Sequence, residues 1–398
     1  MSASTLLQRA EAPSALLRER IQRVVQQAID AQRLVGAVVL VAHDGQLIHR
    51  QAAGLADRES GRPMTHDTIF RLASVSKPIV SAAALVLVAQ GRLDLDEGVD
   101  RYLSEFRPRL ADGRPARITS RQLLSHTAGL GYRFLETDPN GPYARAGVSD
   151  GMDASGISQA ENLRRIASVP LLFEPGAAWY YSLAIDVIGA LIERIVGVPL
   201  DVAIRQLVTE PLGMTDTTFF VHDARRVATV YVNDAFPRPH RLQEGETVPM
   251  FEGTVGIRYS PARVFDANAF PAGGAGMAGT TADFLRFLEA LRERRGALLP
   301  DDLIDEMGRD QTGGLEPRDA PGFGFGLGFS VLRDPQLASS PETAGTWRWG
   351  GAYGHAWFVD PAQRLSVVAF TNTLCEGMSG RFVTDLRDAV YDVLREVR

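Results

Sequence analysis

Ser74 and Lys77 are the residues whose types and spacing best suit covalent chemistry. Lys77 is the single lysine among the 42 basic residues of the 398-residue chain. Arginine stays protonated at any relevant pH, whereas lysine can be held as a neutral amine that acts as a base. Because positions i and i+3 of a helix share one face, this hydroxyl and this amine can meet. The spacing therefore predicts a Ser–Lys activation pair; the alternative is a solvated lysine on an ordinary helix.

The helix that carries this pair is predicted over residues 74–90. Pro78 lacks an N–H and is tolerated only in the first turn of a helix, which places Ser74 at or just before the helix start. Gly91 follows as a C-terminal stop. A helix N-terminus carries partial positive charge and unpaired N–H groups, so it favours both a developing oxyanion and a neutral amine.

Two further segments could complete such a site. Tyr181 lies in an aromatic run just before a predicted helix. A tyrosine beside a Ser–Lys pair can pass a proton, although packing is the alternative. Gly350 and Gly351 lie on a predicted strand, where paired glycines let a ligand approach the backbone. The N–H groups of Ala352 and Ser74 could then form an oxyanion hole, with a simple turn as the alternative.

A second serine, Ser149, lies in a run that matches the G-x-S-x-G pattern of α/β-hydrolases. That pattern indicates a nucleophile only on a sharp turn between a strand and a helix. The flanking residues predict neither element. We therefore interpret residues 147–151 as a loop without a catalytic role.

The histidines and the cysteine indicate no other common type of site. Neither His126 nor His355 has a metal-ligand spacing, and both are predicted to be hydrogen-bonded structural residues. The single cysteine, Cys375, excludes an intrachain disulfide and a cysteine-based metal cluster.

The elements that must position these residues include both strands and helices. Asp44 and Gly45 join two apolar runs, and Asp-Gly between strands predicts a type I′ hairpin, which needs positive φ at both residues. Further helices are predicted at 16–32, 185–196, 281–295 and about 381–397, and further strands at 322–331, 347–349, 355–359 and 365–371. This order predicts an α/β (α+β) fold with an inserted helical domain. The sheet domain would comprise residues 1–84 and 273–398, the mostly helical domain residues 85–272, and the active site would lie between them.

The composition describes an ordinary globular chain, with 45% hydrophobic and 23% charged residues and a net charge of −6. This charge, without a basic run, argues against a nucleic-acid partner. The longest near-apolar run, residues 79–89, is shorter than the ~20 residues that span a bilayer. Residues 1–33 lack the apolar core of a secretory signal, so a soluble, cytoplasmic protein is expected.

Taken in order, the Ser74–Lys77 motif, the Tyr181 segment and the Gly350-Gly351 strand resemble the penicillin-recognising serine hydrolases. This group contains the class C β-lactamases and the D-alanyl-D-alanine peptidases. The resemblance is closest to their carboxylesterase branch, the family VIII esterases, and runs from about residue 36 to residue 372. Supporting segments are 123–130, which looks like that family's L-L-S-H-T-S-G-L, and 173–176, 210–214 and 272–274.

This resemblance implies a β-lactamase-like fold, with a mainly antiparallel sheet flanked by helices. Ser74 would be the acylated nucleophile, Lys77 its base partner and Tyr181 the proton shuttle to the leaving group. The backbone N–H groups of Ser74 and Ala352 would hold the oxyanion. The implied substrate-binding residues are Tyr132, Trp349, Gly350 and Gly351. Neither a metal ion nor an organic cofactor is required, and the expected partner is a small-molecule ester.

Two departures from the family pattern predict the substrate class. Leu183 stands where the lactamases have the asparagine of Tyr-x-Asn, which contacts the acyl amide of the substrate. Trp349 stands where they have the lysine of Lys-Thr-Gly, which pairs with the β-lactam carboxylate. Losing a charge-assisted contact costs on the order of 1.5–3 kcal/mol. The sequence therefore predicts hydrolysis of short-chain, neutral carboxylic esters. The alternatives are an acyltransferase on the same scaffold, a β-lactamase or D-Ala-D-Ala peptidase, and a non-catalytic binding protein.

Overall fold

The computed structural model describes residues 3–233, 238–294, 296, 298–317 and 320–396, with side chains from residue 15 onward. The strands are β1 (Gly36–His43), β2 (Gln46–Asp57), β3 (Arg62–Pro63), β4 (Phe70–Arg71), β5 (Tyr231–Val232), β6 (His240–Arg241), β7 (Thr247–Val248), β8 (Ile257–Arg258), β9 (Ala278–Gly279), β10 (Phe323–Phe325), β11 (Ser330–Leu332), β12 (Trp347–Gly351), β13 (His355–Asp360) and β14 (Leu365–Thr371). The α-helices are α1 (Ala3–Asp30), α2 (Ser76–Ala89), α3 (Ser120–Leu124), α4 (Pro142–Arg145), α5 (Gln159–Ser168), α6 (Ala184–Val196), α7 (Leu200–Ile204), α8 (Thr281–Arg292), α9 (Asp301–Gly308), α10 (Leu374–Ser379) and α11 (Arg381–Glu396).

An eight-stranded antiparallel sheet joins the two ends of the chain, in the order β10-β11-β12-β13-β14-β1-β2-β3. The predicted hairpin is present between β1 and β2. Asp44 has a φ of 52° and Gly45 a φ of 74°, both positive as a type I′ turn requires. Strand β1 pairs on its other side with β14. Residues more than 300 positions apart are thereby fixed in one sheet.

Both faces of the central strands are buried under helices. Along β1, Val38 and Leu40 belong to one hydrophobic cluster, which also contains apolar residues of α2, α6 and α8. The alternate residues Val39 and Val41 belong to a second cluster, with apolar residues of α1 and α11. Successive side chains of a strand point to opposite faces, so this strand is apolar throughout. The result is a mainly antiparallel sheet between two helical layers, as the sequence predicted.

The segment 322–331, predicted as one strand, forms two: β10 and β11 pair through a corner at residues 326–329. Gly328 has a φ of 109°, and a Cβ there would lie 2.3 Å from Ser81 Oγ on α2. A Cβ on Gly326 would lie 2.3 Å from the carbonyl oxygen of Met307 on α9. Helices do cover this segment closely, but the alternating glycines allow a bend rather than one continuous strand.

The elements between residues 85 and 272 are mostly short helices and loops, and all strands of the large sheet lie outside this range. The predicted boundary at residue 84 falls within α2. The division into two domains stays a prediction. Among the described helices, none is both long and apolar enough to cross a membrane.

Candidate active site

Ser74 lies in a tight turn between β4 and α2. Residues Ala73–Val75 form one turn of 3₁₀ helix, and α2 follows directly. Ala73 is buried and has a φ of 45°, a left-handed conformation that is unfavourable for a residue with a Cβ. As the position of Pro78 predicted, the serine lies just before the α-helix.

Two side chains converge on the Ser74 hydroxyl. Lys77, in the first turn of α2, donates from Nζ to Ser74 Oγ over 3.1 Å. Tyr181, just before α6, donates from Oη to the same oxygen over 2.6 Å. The structure thus brings together the three residues that the sequence predicted as nucleophile, base and proton shuttle. Their catalytic roles stay predictions.

Lys77 is fully buried, with 0% of its surface exposed, so the alternative of a solvated lysine is wrong. Its Nζ also donates to the carbonyl oxygen of Gly274 over 2.8 Å. The same nitrogen lies 4.7 Å from the ring centre of Tyr181 and 5.5 Å from that of Tyr132. Aromatic faces attract a cation. This surrounding fixes the amine beside Ser74 and can accommodate the ammonium that proton transfer creates.

Tyr181 is positioned by the loop that begins at His126. The backbone N–H of Tyr180 donates to the carbonyl oxygen of His126 over 3.0 Å. The His126 ring lies edge-on to the Tyr181 ring, with centroids 4.9 Å apart, and its Nδ1 is 3.1 Å from Ser182 Oγ. Burial lowers the pKa of His126 well below its ordinary value, so the ring is neutral. This geometry fits the predicted structural role of His126.

Tyr132 forms part of the wall beside this cluster. Its ring centroid lies 5.1 Å from that of Tyr181, and the residue is buried. Burial raises the pKa of the Tyr132 phenol well above its ordinary value, so the hydroxyl stays protonated. The turn after Tyr132 is held by Asp150, whose carboxyl oxygens accept from the N–H groups of Arg133 and Phe134 over 3.0 and 3.1 Å; burial raises the pKa of Asp150 to about 8.

Asp150 belongs to the G-x-S-x-G run, which is a loop as predicted. The buried Ser149 bonds to Asp153 through Oγ, and this oxygen accepts from the N–H of Gly151 over 3.1 Å. The motif does not lie between a strand and a helix. The element before it is the short helix α4, which ends at Arg145, and the next helix, α5, begins only at Gln159. The residue of this run with a visible structural role is Asp150, whose carboxyl group holds the turn after Tyr132. The sequence analysis missed this because it examined the motif only for its serine.

Strand β12 approaches the Ser74 turn closely. A Cβ on Gly351 would lie 2.4 Å from the carbonyl oxygen of Leu72, so only glycine permits this approach. Ala352 follows directly, and its own carbonyl oxygen accepts from Tyr259 Oη over 3.1 Å. The predicted partners of the oxyanion hole, Ser74 and Ala352, therefore lie on two adjoining segments. Their role in holding an oxyanion stays a prediction.

Aromatic side chains form one side of the site. We define the aromatic wall as Trp179, Tyr181, Phe325 and Trp349. The Trp349 ring is half-buried, with centroid distances of 5.3 Å to Tyr181 and 5.1 Å to Phe325. The ring centroids of Trp179 and Phe325 lie 5.5 Å apart. That Trp349 occupies the position where the related lactamases carry a lysine stays a prediction from the family resemblance.

A buried carboxylate, Asp186, also escaped the sequence analysis. It lies in the first turn of α6, and its Oδ1 accepts from the N–H of Gly274 over 3.2 Å. Gly274 is the residue whose carbonyl oxygen accepts from Lys77. The sequence did contain a feature that could have revealed this residue: Asp186 is an acidic residue in the otherwise apolar first half of the predicted helix 185–196.

The predicted absence of a metal site stays a prediction. The part of the chain that the structure describes contains no group of three or more His, Cys, Asp or Glu side chains that could hold a metal ion. His355 packs in the sheet instead, with Nε2 donating to the carbonyl oxygen of Arg71 over 2.7 Å.

The fold is that of a known class of protein. The family model described as Beta-lactamase matches residues 21–391. The chain therefore belongs to the beta-lactamase family, and the predicted β-lactamase-like fold is confirmed.

Individual relatives narrow this class. The chain is 52% identical over 380 residues to Esterase EstB of Burkholderia gladioli, which covers 95% of this chain and 96% of that protein. The solved structure of EstCE1, described as a hydrolase with promiscuous acyltransferase activity, matches with a TM-score of 0.93 and 45% identity over 95% of this chain and 99% of the other. Monacolin J acid methylbutanoyltransferase of Aspergillus terreus is 27% identical over 397 residues, covering 88% of this chain and 89% of that protein. The predicted membership of the carboxylesterase branch, family VIII, is confirmed.

Proposed function

We propose that the protein is a serine carboxylesterase that hydrolyses short-chain carboxylic esters through an acyl-enzyme on Ser74. One observation carries this proposal. Lys77 Nζ and Tyr181 Oη lie 3.1 and 2.6 Å from the same hydroxyl oxygen, at a turn that directly precedes a helix. This is the geometry of an activated serine nucleophile.

In the first half of the reaction, Ser74 Oγ bonds to the ester carbonyl carbon while its proton passes to Lys77. The resulting oxyanion accepts from the N–H groups of Ser74 and Ala352. The bond to the alkoxy oxygen then breaks, and the proton returns through Tyr181 to the leaving alcohol. In the second half, water attacks the acyl carbon, its proton takes the same route back to Ser74 Oγ, and the carboxylic acid leaves.

The substrate class follows from the residues around the nucleophile. Trp349 and the rest of the aromatic wall offer an apolar surface where a carboxylate-binding lysine would stand in the lactamases. Leu183 cannot hydrogen-bond an amide through its side chain. Both features favour neutral esters over anionic amides. The ester would also contact three residues outside the aromatic wall: Tyr132, Gly350 and Gly351.

The ester hydrolase class predicted from the sequence is confirmed by the relative named Esterase EstB and by the hydrolase EstCE1. The substrate is a small-molecule ester. The cytoplasmic location stays a prediction.

A labelling experiment tests the proposal. A fluorophosphonate should form a covalent adduct with the protein, and mass spectrometry of the digested adduct should place it on the peptide that contains Ser74. The same sample should hydrolyse p-nitrophenyl butyrate with a kcat/KM far above that for ring opening of a cephalosporin. A label on another serine, or equal kcat/KM for the two substrates, would contradict the proposal.

A second candidate, acyl transfer to an alcohol, is favoured by two of the relatives. EstCE1 is described as having promiscuous acyltransferase activity, and the Aspergillus terreus relative is named as a methylbutanoyltransferase. Both reactions share the acyl-enzyme, and they differ in whether water or an alcohol attacks it. The product ratio in the presence of a rising concentration of a primary alcohol measures this partition.

A further inference from the structure

Asp186 and Lys77 contact the same glycine from opposite sides. The carbonyl oxygen of Gly274 accepts from Lys77 Nζ over 2.8 Å, and its N–H donates to Asp186 Oδ1 over 3.2 Å. Both side chains are buried, with 0% of Lys77 and 7% of Asp186 exposed. A negative charge thus lies one residue away from the amine that the proposed reaction protonates.

The second oxygen of this carboxylate also faces the site. Among the described residues, Asp186 Oδ2 is buried without a hydrogen-bond partner. A Cβ built on Gly274 would lie 2.5 Å from this oxygen and 3.2 Å from Tyr132 Oη. Only glycine therefore lets the carboxylate approach the segment that holds Lys77. A buried carboxylate oxygen without a partner is costly, and such a cost persists where the charge has a use.

From this geometry we propose that Asp186 is a positioning residue of the Ser–Lys reaction. It fixes the Gly274 carbonyl that holds Lys77, and it balances the positive charge when Lys77 takes the proton of Ser74. The inference rests on the proposed function, because it concerns the base in that mechanism.

The charged and titratable groups around this pair support a role near neutral pH. Burial raises the pKa of Asp186 to about 6, while the charge of Lys77 opposes this shift and Arg263 opposes it less. Tyr132 and Tyr181 contact Lys77 through their ring faces. His126 is neutral, as described above. The Asp186 carboxyl is therefore mostly ionised at pH 7 and mostly protonated at pH 5.

The Asp186→Asn variant tests the role of the charge, because its side-chain oxygen can still accept from Gly274. We expect kcat for p-nitrophenyl butyrate to fall about tenfold with little change in KM, since the ammonium is no longer balanced. The acid limb of the kcat/KM profile should move to lower pH, because the Asp186 carboxyl, whose pKa is raised to about 6, no longer titrates in the variant. The matched control is Asp283→Asn, a buried first-turn carboxylate of α8 that accepts from Asp216 and Thr217; it should keep the acid limb of the parent.

An unchanged acid limb and kcat in Asp186→Asn would overturn the inference. A second measurement does not depend on the folding of that variant. Carbon-13 NMR titration of the Asp186 carboxyl should show a higher pKa in Lys77→Met than in the parent protein, since the opposing positive charge is gone. An identical pKa in both would also overturn the inference. This titration needs no catalysis, so its failure is distinct from a phosphonate label that misses Ser74.

Discussion

Tyr181 Oη lies 2.6 Å from Ser74 Oγ, although the two residues are 107 positions apart in the sequence. The contact depends on two separate supports. The turn at Ala73 presents Ser74 ahead of α2, and the backbone bond from Tyr180 to His126 holds the tyrosine against this turn. Neither support is part of the Ser–Lys pair itself. The site is therefore assembled by the packing of three chain segments rather than by one local motif.

Replacing the two candidate serines separates the nucleophile from the loop serine. Ser74→Ala should reduce kcat for p-nitrophenyl butyrate on the order of 10⁶-fold, because no other oxygen can form the acyl-enzyme. Ser149→Ala should retain nearly all activity, since Ser149 lies in a loop and bonds to Asp153. Steady-state kinetics on both variants, with circular dichroism to check folding, measures this. A folded but inactive Ser149→Ala protein would show that the G-x-S-x-G run takes part in catalysis.

Lys77→Arg should be nearly as damaging as Ser74→Ala. The substitution keeps a positive charge but removes the accessible neutral form, so no base remains beside the hydroxyl. The larger guanidinium must also fit where Nζ lies 2.8 Å from the Gly274 carbonyl. The rate of labelling by a fluorophosphonate measures nucleophile activation directly, and it should fall together with kcat. Substantial ester hydrolysis by this variant would mean that Lys77 is not the base.

Tyr181→Phe removes the hydroxyl and leaves the ring contacts with His126, Tyr132 and Trp349 in place. We expect kcat to fall by about 10²- to 10⁴-fold, the contribution of a positioned proton donor, with a smaller change in KM. The loss should shrink for esters whose leaving alcohol is acidic, such as p-nitrophenol, because these need no proton to depart. If kcat fell equally for p-nitrophenyl and ethyl esters, Tyr181 would not be the residue that donates the proton to the leaving alcohol.

His49, buried on β2 and remote from the site segments, makes a pH-dependent contribution to stability. Burial lowers the pKa of His49 to about 4, whereas the unfolded chain has the ordinary value of ~6.5. The unfolded state therefore binds more protons between these values. The free energy of unfolding falls as the pH decreases through this window, by up to about 1.4 kcal/mol per unit. In His49→Leu the contribution of His49 to the pH dependence of stability should be absent.

Urea denaturation of the parent and of His49→Leu at about pH 7 and about pH 5 checks this expectation. The variant should gain free energy of unfolding relative to the parent at the lower pH, with ester hydrolysis unchanged. A constant difference between the two proteins at both pH values would contradict the lowered pKa.

The parts of the fold that depend on neighbouring residues were predictable from the sequence. The Asp44-Gly45 turn and the Ser74–Lys77 spacing are such cases, because their geometry is set within four residues. Tyr181 could be assigned only through the family resemblance, since nothing local joins it to Ser74. The contacts of Asp186 could not be predicted, because they arise when α6 packs beside the segment at Gly274.

The approach of β12 to the nucleophile turn yields a last prediction. In Gly351→Ala the added Cβ would lie 2.4 Å from the carbonyl oxygen of Leu72, which is backbone and cannot rotate away. Overpacking of this kind costs about 1–3 kcal/mol of stability, and relief of the contact must move Ala352 away from Ser74. We therefore expect the melting temperature to fall and kcat to fall at least tenfold, as when an oxyanion donor is misplaced.

Gly36→Ala provides the matched control on the same sheet. Its Cβ would lie 2.5 Å from the carbonyl oxygen of Leu55, so the clash has the same chemistry at a place away from the site. The melting temperatures of both variants should decrease by similar amounts, whereas kcat should fall only in Gly351→Ala. Because each substitution places a Cβ against a backbone carbonyl oxygen, a shared loss of kcat would indicate that the sheet as a whole carries the effect. A loss confined to Gly351→Ala would locate the requirement at the contact between β12 and the Ser74 turn, where the oxyanion hole is proposed.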